Sequence, residues 1–527
     1  MSQVPFCGAT YQGRSVNINS SRAVNFMPEA TGATDDKAAL ILTATPGTQV
    51  FTIIPEAATS VRGMYTFQGH LFAVVGDGLY QVEDDGTYDL VDRLLTADGI
   101  VDFADNGLAD SGVGGNQLIM VDGLYGYVYN VATSTFTILS HDDIVDPVVT
   151  GIPEFPATPK MVTYLDGYFV IIDGTMRFVV SDLYDGTTYQ GLATAAVSSM
   201  PDNVQAVTAI NNQLLFVKEF TTEVWYDAAV PTSEGCPFAR VSGAVYNYGT
   251  PAPWSLARGS NSVFFVSSAK TNNQGSFFSV VQVTDYSPTV ISTAPIAYKI
   301  SQSTDISSCF AYCYADQGHM FYVLTNPVDD WTLVYDVTTQ MWHERSSFDD
   351  GVTFKRHLSN CYVYYDGNHL VGGYTQPYIS KMSTDYYSDN GIAVNSIRTA
   401  PHVFDNSELN SVFVSRLDVD AETGVGSDEP IIVLVTHIAD GSWLADGTIT
   451  GGGIIESTAN PQAFLSWSND GGHTWSNEYS CPMGEQANYY ARLKWRRLGY
   501  SRNRVFKLRI SDPVKRNIIG AYMRAST

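Results

Sequence analysis

The chain has 527 residues, and 29 Lys and Arg against 54 Asp and Glu give it a formal net charge of −25. The chain is too long for one simple hydrophobic core. Because 44% of its residues are hydrophobic and only 16% are charged, it has enough apolar material for a core, which excludes a disordered acidic tail. The excess of negative charge excludes a protein that binds nucleic acid or anionic membranes over its whole surface, since such binding needs cationic side chains. The 44 Gly, 32 Tyr and 25 Phe predict many short strands joined by tight turns.

Targeting signals and cysteines indicate where the chain works. The opening residues MSQVPFCGATYQGRS have no secretory signal pattern, and no stretch reaches the roughly 20 apolar residues of a membrane span. We therefore expect assembly in a cytoplasm and no membrane insertion by this chain. Cys309 and Cys313 would share one strand face, but the cysteines lack metal-ligand spacing, so we predict buried free thiols, no metal and no cofactor. The cysteines are Cys7, Cys236, Cys309, Cys313, Cys361 and Cys481.

One sequence element recurs through most of the chain: a turn residue followed by a short run of large apolar residues. Examples are GHLFAVVG from Gly69, DGYFVIIDG from Asp166 and GHMFYVLT from Gly318. Such runs, bounded by Gly, Asn or Asp, are typical of strands buried on both faces. Seven markers of the element stand 47, 50, 46, 49, 57 and 50 residues apart. The markers are His70, Gln117, Gly167, Gln213, Ser262, His319 and His369.

A second pattern follows two of these runs. Val128–Phe136 reads VYNVATSTF and Val334–Trp342 reads VYDVTTQMW, with Tyr, Val, Thr and the last aromatic residue at identical offsets. The polar centre of each segment predicts a hairpin turn, with the aromatic residue packing across the strand pair. Several strands in each repeat of this period predict a β-propeller of six or seven blades. An elongated β-solenoid or several sandwiches are the alternatives.

The two ends of the chain lack the repeat and carry longer predicted strands after residue 390. Because the termini of a closed ring of blades lie close together, we expect the two ends to pair into one β-sandwich-like platform domain. The predicted domains are residues 1–50 as the N-terminal part of the platform, 51–390 as the propeller and 391–527 as the C-terminal part. The predicted fold class is therefore all-β, a propeller of six or seven blades plus this platform.

Positive charge is concentrated near the C-terminus. Residues 492–524 hold eleven basic residues and one acidic residue, Asp512, a charge of +10, so the rest of the chain carries −25 − 10 = −35. An ordinary solvated strand face, docking onto an acidic protein and contact with a nucleic-acid backbone are the three interpretations. The candidate partner-docking residues are Arg492, Lys494, Arg496, Arg497, Arg502, Arg504, Lys507 and Arg509.

The sharpest local motif is SNDGGHTW, Ser468 to Trp475, which fits the Asp-box pattern S-x-D-x-G-x-T-W of sialidase-type propellers. It predicts a structural turn in which Asp470 accepts turn amides, Gly472 permits positive φ and Trp475 anchors the turn in the core. A sialidase would also need a Tyr nucleophile and converging arginines. His343-Glu344 lacks the second His of a zinc motif, and no nucleophile elbow or phosphate loop occurs, so we expect no enzyme.

The chain ends carry a family resemblance. RAVNFMPEATG from Arg22 and LILTATPGTQVF from Leu40, together with LSWSNDGGHTWSNE from Leu465 and the basic segment from Arg492 to Tyr522, resemble the packaged-DNA stabilisation, or tail nozzle, proteins of short-tailed bacteriophages. The resemblance implies a homohexameric tube in the virion tail, below the portal and its head-to-tail adaptor. It further implies docking of tail fibres or spikes, and a channel that double-stranded DNA passes without specific binding.

Three functions remain in competition at this stage. The first is this structural virion protein, which retains packaged DNA and conducts the genome during ejection. The acidic composition suits a conduit, because negative walls repel phosphates over about one Debye length, ~8–10 Å. The alternative is a carbohydrate-binding or depolymerising propeller that binds a receptor, supported by the Asp box. The third is a cytoplasmic scaffold that binds other proteins.

Overall fold

A computed structural model describes residues 2–8, 10–32, 38–55, 60–107, 115–141, 149–270, 276–348, 353–404, 410–424, 431–432, 454–455 and 461–526. Over these ranges the chain is almost wholly β, with one α-helix and one short 3-10 helix, Pro253–Ser255. It forms a propeller and a sandwich, so the predicted fold class is confirmed. The N-terminal strands are β1 (Ser2–Val4), β2 (Arg22–Val24), β3 (Phe26–Ala30), β4 (Leu40–Ala44) and β5 (Gly47–Ile53).

The first four blades follow in chain order, each an antiparallel meander, and blade 2 adds a short parallel strand. Their strands are β6 (Val61–Phe67), β7 (His70–Val75), β8 (Gly78–Val82) and β9 (Tyr88–Arg93); β10 (Asp102–Asp105), β11 (Gln117–Val121), β12 (Gly126–Asn130), β13 (Thr135–Ser140) and β14 (Val149–Gly151); β15 (Met161–Leu165), β16 (Tyr168–Ile172), β17 (Arg177–Asp182) and β18 (Asp185–Ala196); β19 (Val204–Ile210), β20 (Gln213–Lys218), β21 (Thr222–Asp227) and β22 (Phe238–Tyr246).

Blades 5 to 7 complete a ring of seven, within the predicted range of six or seven. The longest marker gap, from Ser262 to His319, contains the helix α1 (Ala294–Ser301) between blades 5 and 6. The strands are β23 (Ala257–Gly259), β24 (Ser262–Lys270), β25 (Ser276–Thr284) and β26 (Ser287–Val290); β27 (Phe310–Asp316), β28 (His319–Asn326), β29 (Trp331–Asp336) and β30 (Met341–Arg345); β31 (Ser359–Tyr365), β32 (Asn368–Gly373) and β33 (Tyr378–Ser383).

The repeat found in the sequence is the second strand of each blade. Every marker lies within one residue of the start of that strand. In blade 1, Leu71 to Val75 are all fully buried, because the strand lies in mid-sheet and both faces pack against neighbouring blades. The two predicted hairpins are also present: Tyr129 pairs with Phe136, and the rings of Tyr335 and Trp342 lie 5.1 Å apart.

The ring is closed by a strand from the other end of the chain. β5 pairs antiparallel with β33, with Thr52 opposite Ile379, and so supplies the fourth strand of blade 7. This pairing joins the first blade-forming residues to the last, so blade 7 is complete where the ring closes. The expected boundary at residue 50 lies inside β5; the division into three segments stays a prediction.

Two of the remaining strands, β34 (Ser388–Asp389) and β35 (Ile392–Ala393), extend the blade 7 sheet beyond β5, and β39 (Ile431–Ile432) pairs with β40 (Ile454–Ile455) as a separate two-stranded sheet. The others form the sandwich together with β1–β4. They are β36 (Ser396–Thr399), β37 (Val403–Phe404), β38 (Val412–Ala421), β41 (Gln462–Ser468), β42 (Tyr479–Pro482), β43 (Leu493–Ser501), β44 (Asn503–Ile510) and β45 (Ile518–Ser526). We call β3-β4-β45-β38-β43, with β1 on β45, the first sheet, and β2-β36-β44-β41-β42, with β37 on β44, the second sheet.

Both chain ends contribute to one core between these sheets. Phe6, Phe26 and Leu42 pack with Leu417, Leu465 and other apolar side chains of the C-terminal strands. The guanidinium of buried Arg398 donates to the carbonyl of Phe6 at 2.7 Å, across almost four hundred residues of sequence. The sandwich is therefore assembled from the two ends rather than from the C-terminal part alone.

The sandwich and the propeller share a sheet. β2 pairs antiparallel with β36 of the sandwich and parallel with β30 of blade 6, where Val24 is opposite Glu344. Arg22 reinforces this junction with two hydrogen bonds to the Glu344 carboxylate, at 2.9 and 2.7 Å. A continuous ladder thus runs from blade 6 into the second sheet.

Candidate functional site: the sandwich faces and the propeller channel

The outer face of the first sheet carries a row of arginines. Arg524 on β45, Arg416 on β38 and Arg496 on β43 are cross-strand neighbours, and Lys494 follows on the same face of β43. Leu493 and Trp495 alternate with them and point into the core. Arg416 pairs with Asp418, while Arg496, Arg524 and Lys494 are exposed. Alternation along β43 therefore sorts apolar side chains inward and cations outward.

Further cations and aromatic rings surround this row. Arg492 and Arg502 flank β43, Arg497 lies in its middle, and all three are exposed. The tyrosines of the region are also open to solvent: Tyr489 is 68% exposed, Tyr490 94% and Tyr500 68%. We call Arg416, Lys494, Arg496 and Arg524 with Arg492, Arg497, Arg502, Tyr489, Tyr490 and Tyr500 the cationic face. Exposed Arg and Tyr side chains are the residue types enriched in protein interfaces.

The structure divides the eight candidate docking residues between two sheets. Arg492, Lys494, Arg496, Arg497 and Arg502 belong to the cationic face. Lys507 and Arg509 lie on the outer face of the second sheet, where Arg509 pairs with Glu478 at 2.7 Å. Arg504 is buried, only 1% exposed.

Burial gives Arg504 a structural role. Its guanidinium donates to the carbonyls of Leu498 at 2.8 Å and Tyr500 at 3.2 Å, which fixes the turn between β43 and β44. Burial also lowers the pKa of Arg504 to about 10. Because this side chain cannot reach a partner, a variant that tests docking should leave Arg504 unchanged.

The Asp box forms a hydrogen-bonded turn after β41. Asp470 accepts hydrogen bonds from the Ser468 hydroxyl at 2.6 Å, from the backbone amides of His473 and Thr474 and from the Thr474 hydroxyl, and these lower the pKa of its carboxyl group. Gly472 has φ +105°, and a Cβ there would lie 2.6 Å from Val16. The turn is thus pressed against the N-terminal segment.

Trp475 departs from the expected position. Instead of entering the core it is half-buried on the outer face of the second sheet, with the Lys507 ammonium 4.2 Å from its ring centre. The prediction that it anchors the turn in the core is wrong, because the core side of β41 is already filled by Ala463 and Leu465.

The propeller encloses a central cavity of about 500 Å³, lined by the first strands of all seven blades. Tyr65 donates to Asp105 at 2.7 Å, and Asp102 accepts the amide of Val162 at 2.8 Å, which links neighbouring blades. Burial raises the pKa of Asp102 to about 7. Arg62 donates to the carbonyl of Gly76, in the β7–β8 turn of blade 1, and to those of Thr96, Asp98 and Gly99, in the connection from blade 1 to blade 2. These hydrogen bonds connect blades 1, 2 and 3.

Among the described residues, no group of three or more His, Cys, Asp or Glu is placed to hold a metal. His70, His319 and His369, which recur in the repeat, each lie near one carboxylate, at 3.8, 2.8 and 3.9 Å. All six cysteines are free thiols, but only Cys309 and Cys481 are buried, whereas Cys313 and the other three are half-buried. In the part of the chain that the structure covers, no helix has the length and apolar character to cross a membrane.

Three solved structures match the chain at low identity and low TM-score. The WD40 beta propeller domain of Doa1 is 12% identical, with 64% of this chain and 97% of that chain covered and a TM-score of 0.36. The N-terminal domain of Nup159 is 10% identical, with 72% and 98% covered and a TM-score of 0.35. The designed Ika8 protein is 13% identical, with 64% and 100% covered and a TM-score of 0.35. At TM-scores below 0.5 these matches carry no argument.

Family models cover nearly the whole chain. The model described as "Bacteriophage P22 Gp10, beta-propeller" matches residues 2–387, and the model described as "Bacteriophage P22 Gp10, beta-sandwich" matches residues 397–526. No curated protein matches the sequence significantly. The two matches agree with the fold, and they confirm the resemblance noted from the chain ends. The chain belongs to the bacteriophage P22 Gp10 family and is a structural phage tail protein that stabilises packaged DNA.

Proposed function

We propose that this chain assembles into a homohexameric tail nozzle that docks through its cationic face onto the portal and head-to-tail adaptor. The ring retains the packaged DNA, gives tail fibres or spikes a docking surface and conducts the genome during ejection. It assembles in the host cytoplasm before joining the virion. Because the family is structural, no reaction is part of the proposal.

One observation carries the docking half of the proposal: an exposed cationic and tyrosine-rich face on an otherwise acidic chain. Residues 492–524 carry +10 against −35 for the rest. Complementary charge speeds encounter and fixes orientation, while exposed Tyr and Arg supply contact area when an interface closes over them. An acidic partner surface fits this face best, since another basic surface would leave like charges opposed.

The acidic remainder supports the conduit half. A wall that carries negative charge repels phosphates, and the repulsion acts within about one Debye length, ~8–10 Å. Cationic walls would instead release counterions and hold the DNA. The proposal therefore separates two surfaces, a cationic one for assembly and acidic ones that leave DNA free to move.

The docking test uses exposed residues only. Changing Arg496, Arg497 and Arg502 to Glu should abolish joining of the purified protein to portal–adaptor complexes, because three attractive contacts become repulsive. The matched control changes Lys160, Arg177 and Arg240 to Glu, the same charge change at exposed propeller sites. Electron microscopy and size-exclusion chromatography report joining, and thermal unfolding checks the fold of both variants.

Two results would contradict the proposal. Normal joining by the Arg496, Arg497 and Arg502 variant would show that the cationic face takes no part in assembly. Tight binding of double-stranded DNA by the assembled ring at low salt would show that the conduit is not inert toward DNA.

A further inference from the structure

A second, smaller cavity of about 220 Å³ lies on the outer face of the second sheet. Its floor is a row of three cross-strand neighbours from β2, β36 and β44: Arg22 is opposite Thr399, and Thr399 is opposite Lys507. Side chains in such a row lie on one face of a sheet about 5 Å apart. Two cations therefore flank one hydroxyl at the bottom of the cavity.

The walls come from other parts of the chain. The N-terminal segment contributes Gln12, Val16 and Ser20, and Phe354 and Trp475 stand on the two sides. Arg22 lies 5.0 Å from the Phe354 ring centre, as Lys507 lies 4.2 Å from that of Trp475. The cavity thus combines two cation–aromatic pairs with amide and hydroxyl groups, all supplied by a single chain.

The charges around the cavity do not cancel. Arg22 is neutralised by Glu344 at 2.7 Å, and Arg509 by Glu478 at 2.7 Å. Within the described residues, the Lys507 ammonium has no hydrogen bond or ion pair, and it lies over the Trp475 ring. Burial lowers the pKa of Lys507, opposed by Glu478 and reinforced by Arg22 and Arg509. The cavity therefore has one positive charge in excess, held in a partly desolvated place.

We propose that this cavity binds a small sugar acid, a hexuronate, whose carboxylate meets Lys507 and the free guanidinium edge of Arg22. Of the five guanidinium N–H groups, the bonds to Glu344 occupy only two. The hydroxyls of the sugar would face Gln12, Ser20 and Thr399. Its C–H surfaces would contact Val16, Ile397 and the two rings.

Other anions fit these groups less well. Inorganic phosphate is wholly polar and would leave the apolar walls unfilled, and as a dianion it exceeds the single spare charge. An aromatic acid would leave the amide of Gln12 and the hydroxyl of Thr399 desolvated without partners, which costs binding energy. The mixed lining selects a monoanion that carries hydroxyls.

The test titrates the full-length protein with D-glucuronate, followed by calorimetry and ligand-observed NMR. D-glucose, benzoate and inorganic phosphate are titrated under the same conditions. Replacing Lys507 with Met should weaken D-glucuronate binding at least about tenfold, since a hydrogen bond to a charged group is lost. The matched control is Lys494→Met, which removes the same charge from the exposed cationic face. Thermal unfolding establishes that both variants fold.

Selective binding of D-glucuronate that Lys507→Met weakens and Lys494→Met leaves unchanged supports the proposal. It is overturned if the unmodified protein does not bind D-glucuronate, if D-glucose, benzoate or phosphate binds as well, or if Lys507→Met binds normally. The cavity is complete within one chain, so these outcomes are independent of whether the nozzle assembles.

Discussion

The propeller and the sandwich are both antiparallel β structures, but their paired strands differ in sequence separation. The separation is short in the propeller and long in the sandwich. The four strands of blade 1 fall between Val61 and Arg93, and each joins the next through a short turn. In the sandwich, Ser2 is the register partner of Met523. Local pairing repeats along a sequence and is visible there as a period. Distant pairing has no period, and it requires both ends of the chain to be present.

The difference in sequence distance affects the order in which the two regions fold. Local contacts can form early, because closing a short loop costs little entropy, whereas pairing across hundreds of residues must wait for the intervening chain to become compact. The closed propeller provides that compaction: β5 and β33 bring the two ends of residues 47–383 together. We expect the sandwich to depend on the propeller more than the propeller depends on the sandwich.

The largest expected effect comes from separating the two regions. A fragment of residues 45–390 should unfold cooperatively, whereas a fragment of residues 391–526 should show no thermal transition by circular dichroism. The second fragment lacks β1–β4, and with them the fully buried Phe6, Phe26 and Leu42. Adding a peptide of residues 1–44 should restore a transition. Cooperative unfolding of residues 391–526 alone would contradict the non-local assembly of the sandwich.

A smaller effect is expected from two carboxyl groups whose pKa is raised by burial. Burial raises the pKa of Asp102 in the propeller to about 7 and that of Asp389, beside the sandwich, to about 6, although Ser347 and Arg516 lower the latter. The folded state then holds a proton that the unfolded chain has lost above pH ~4, so stability falls with rising pH between about 4 and these values.

Replacing each of these aspartates with Asn should remove its part of that fall. In the unmodified protein, Asp102 should lower the free energy of unfolding by at most about 3 kcal/mol over this pH range, because its side chain is partly open to the central cavity. Asp389 should lower it by less. Urea unfolding at several pH values measures both. The Asp102 effect should reach pH 7 and the Asp389 effect should end near pH 6; unchanged pH profiles in both variants would contradict the assignment.

The last effect concerns the strand shared by the two regions. Burial alone would raise the pKa of Glu344, but the charge and hydrogen bonds of Arg22 lower it overall. Glu344→Gln should reduce the free energy of unfolding by about 2–3 kcal/mol, because a buried charge loses its partner. Glu478→Gln breaks the more exposed pair with Arg509 and should cost less than ~1 kcal/mol. Equal losses in urea unfolding would show that burial of the junction does not matter.

The sequence predicted the blades better than the site. All seven markers lie at second strands, because burial on both faces forces a continuous apolar run that is recognisable without context. The charge count revealed the basic segment, but it did not show that the basic side chains are divided between two sheets and the core. Arg504 turns inward while Arg496 faces out, and Lys507 belongs to a different sheet. Strand alternation predicts opposite faces only when register and bulges are known, and the bulge between Val414 and Arg416 decides which arginines align.

By itself, the sequence determined the repeat, the hairpins, the acidic balance with its basic segment and the family of the chain. These features depend on neighbouring residues or on composition. Only the tertiary structure decided that β5 closes the ring, that β2 joins blade 6 to the sandwich and that Arg22, Thr399 and Lys507 lie in one row beside Trp475. Each of these arises from pairing between strands far apart in sequence. Such pairing follows from which buried faces fit together in space, and no local pattern records that choice.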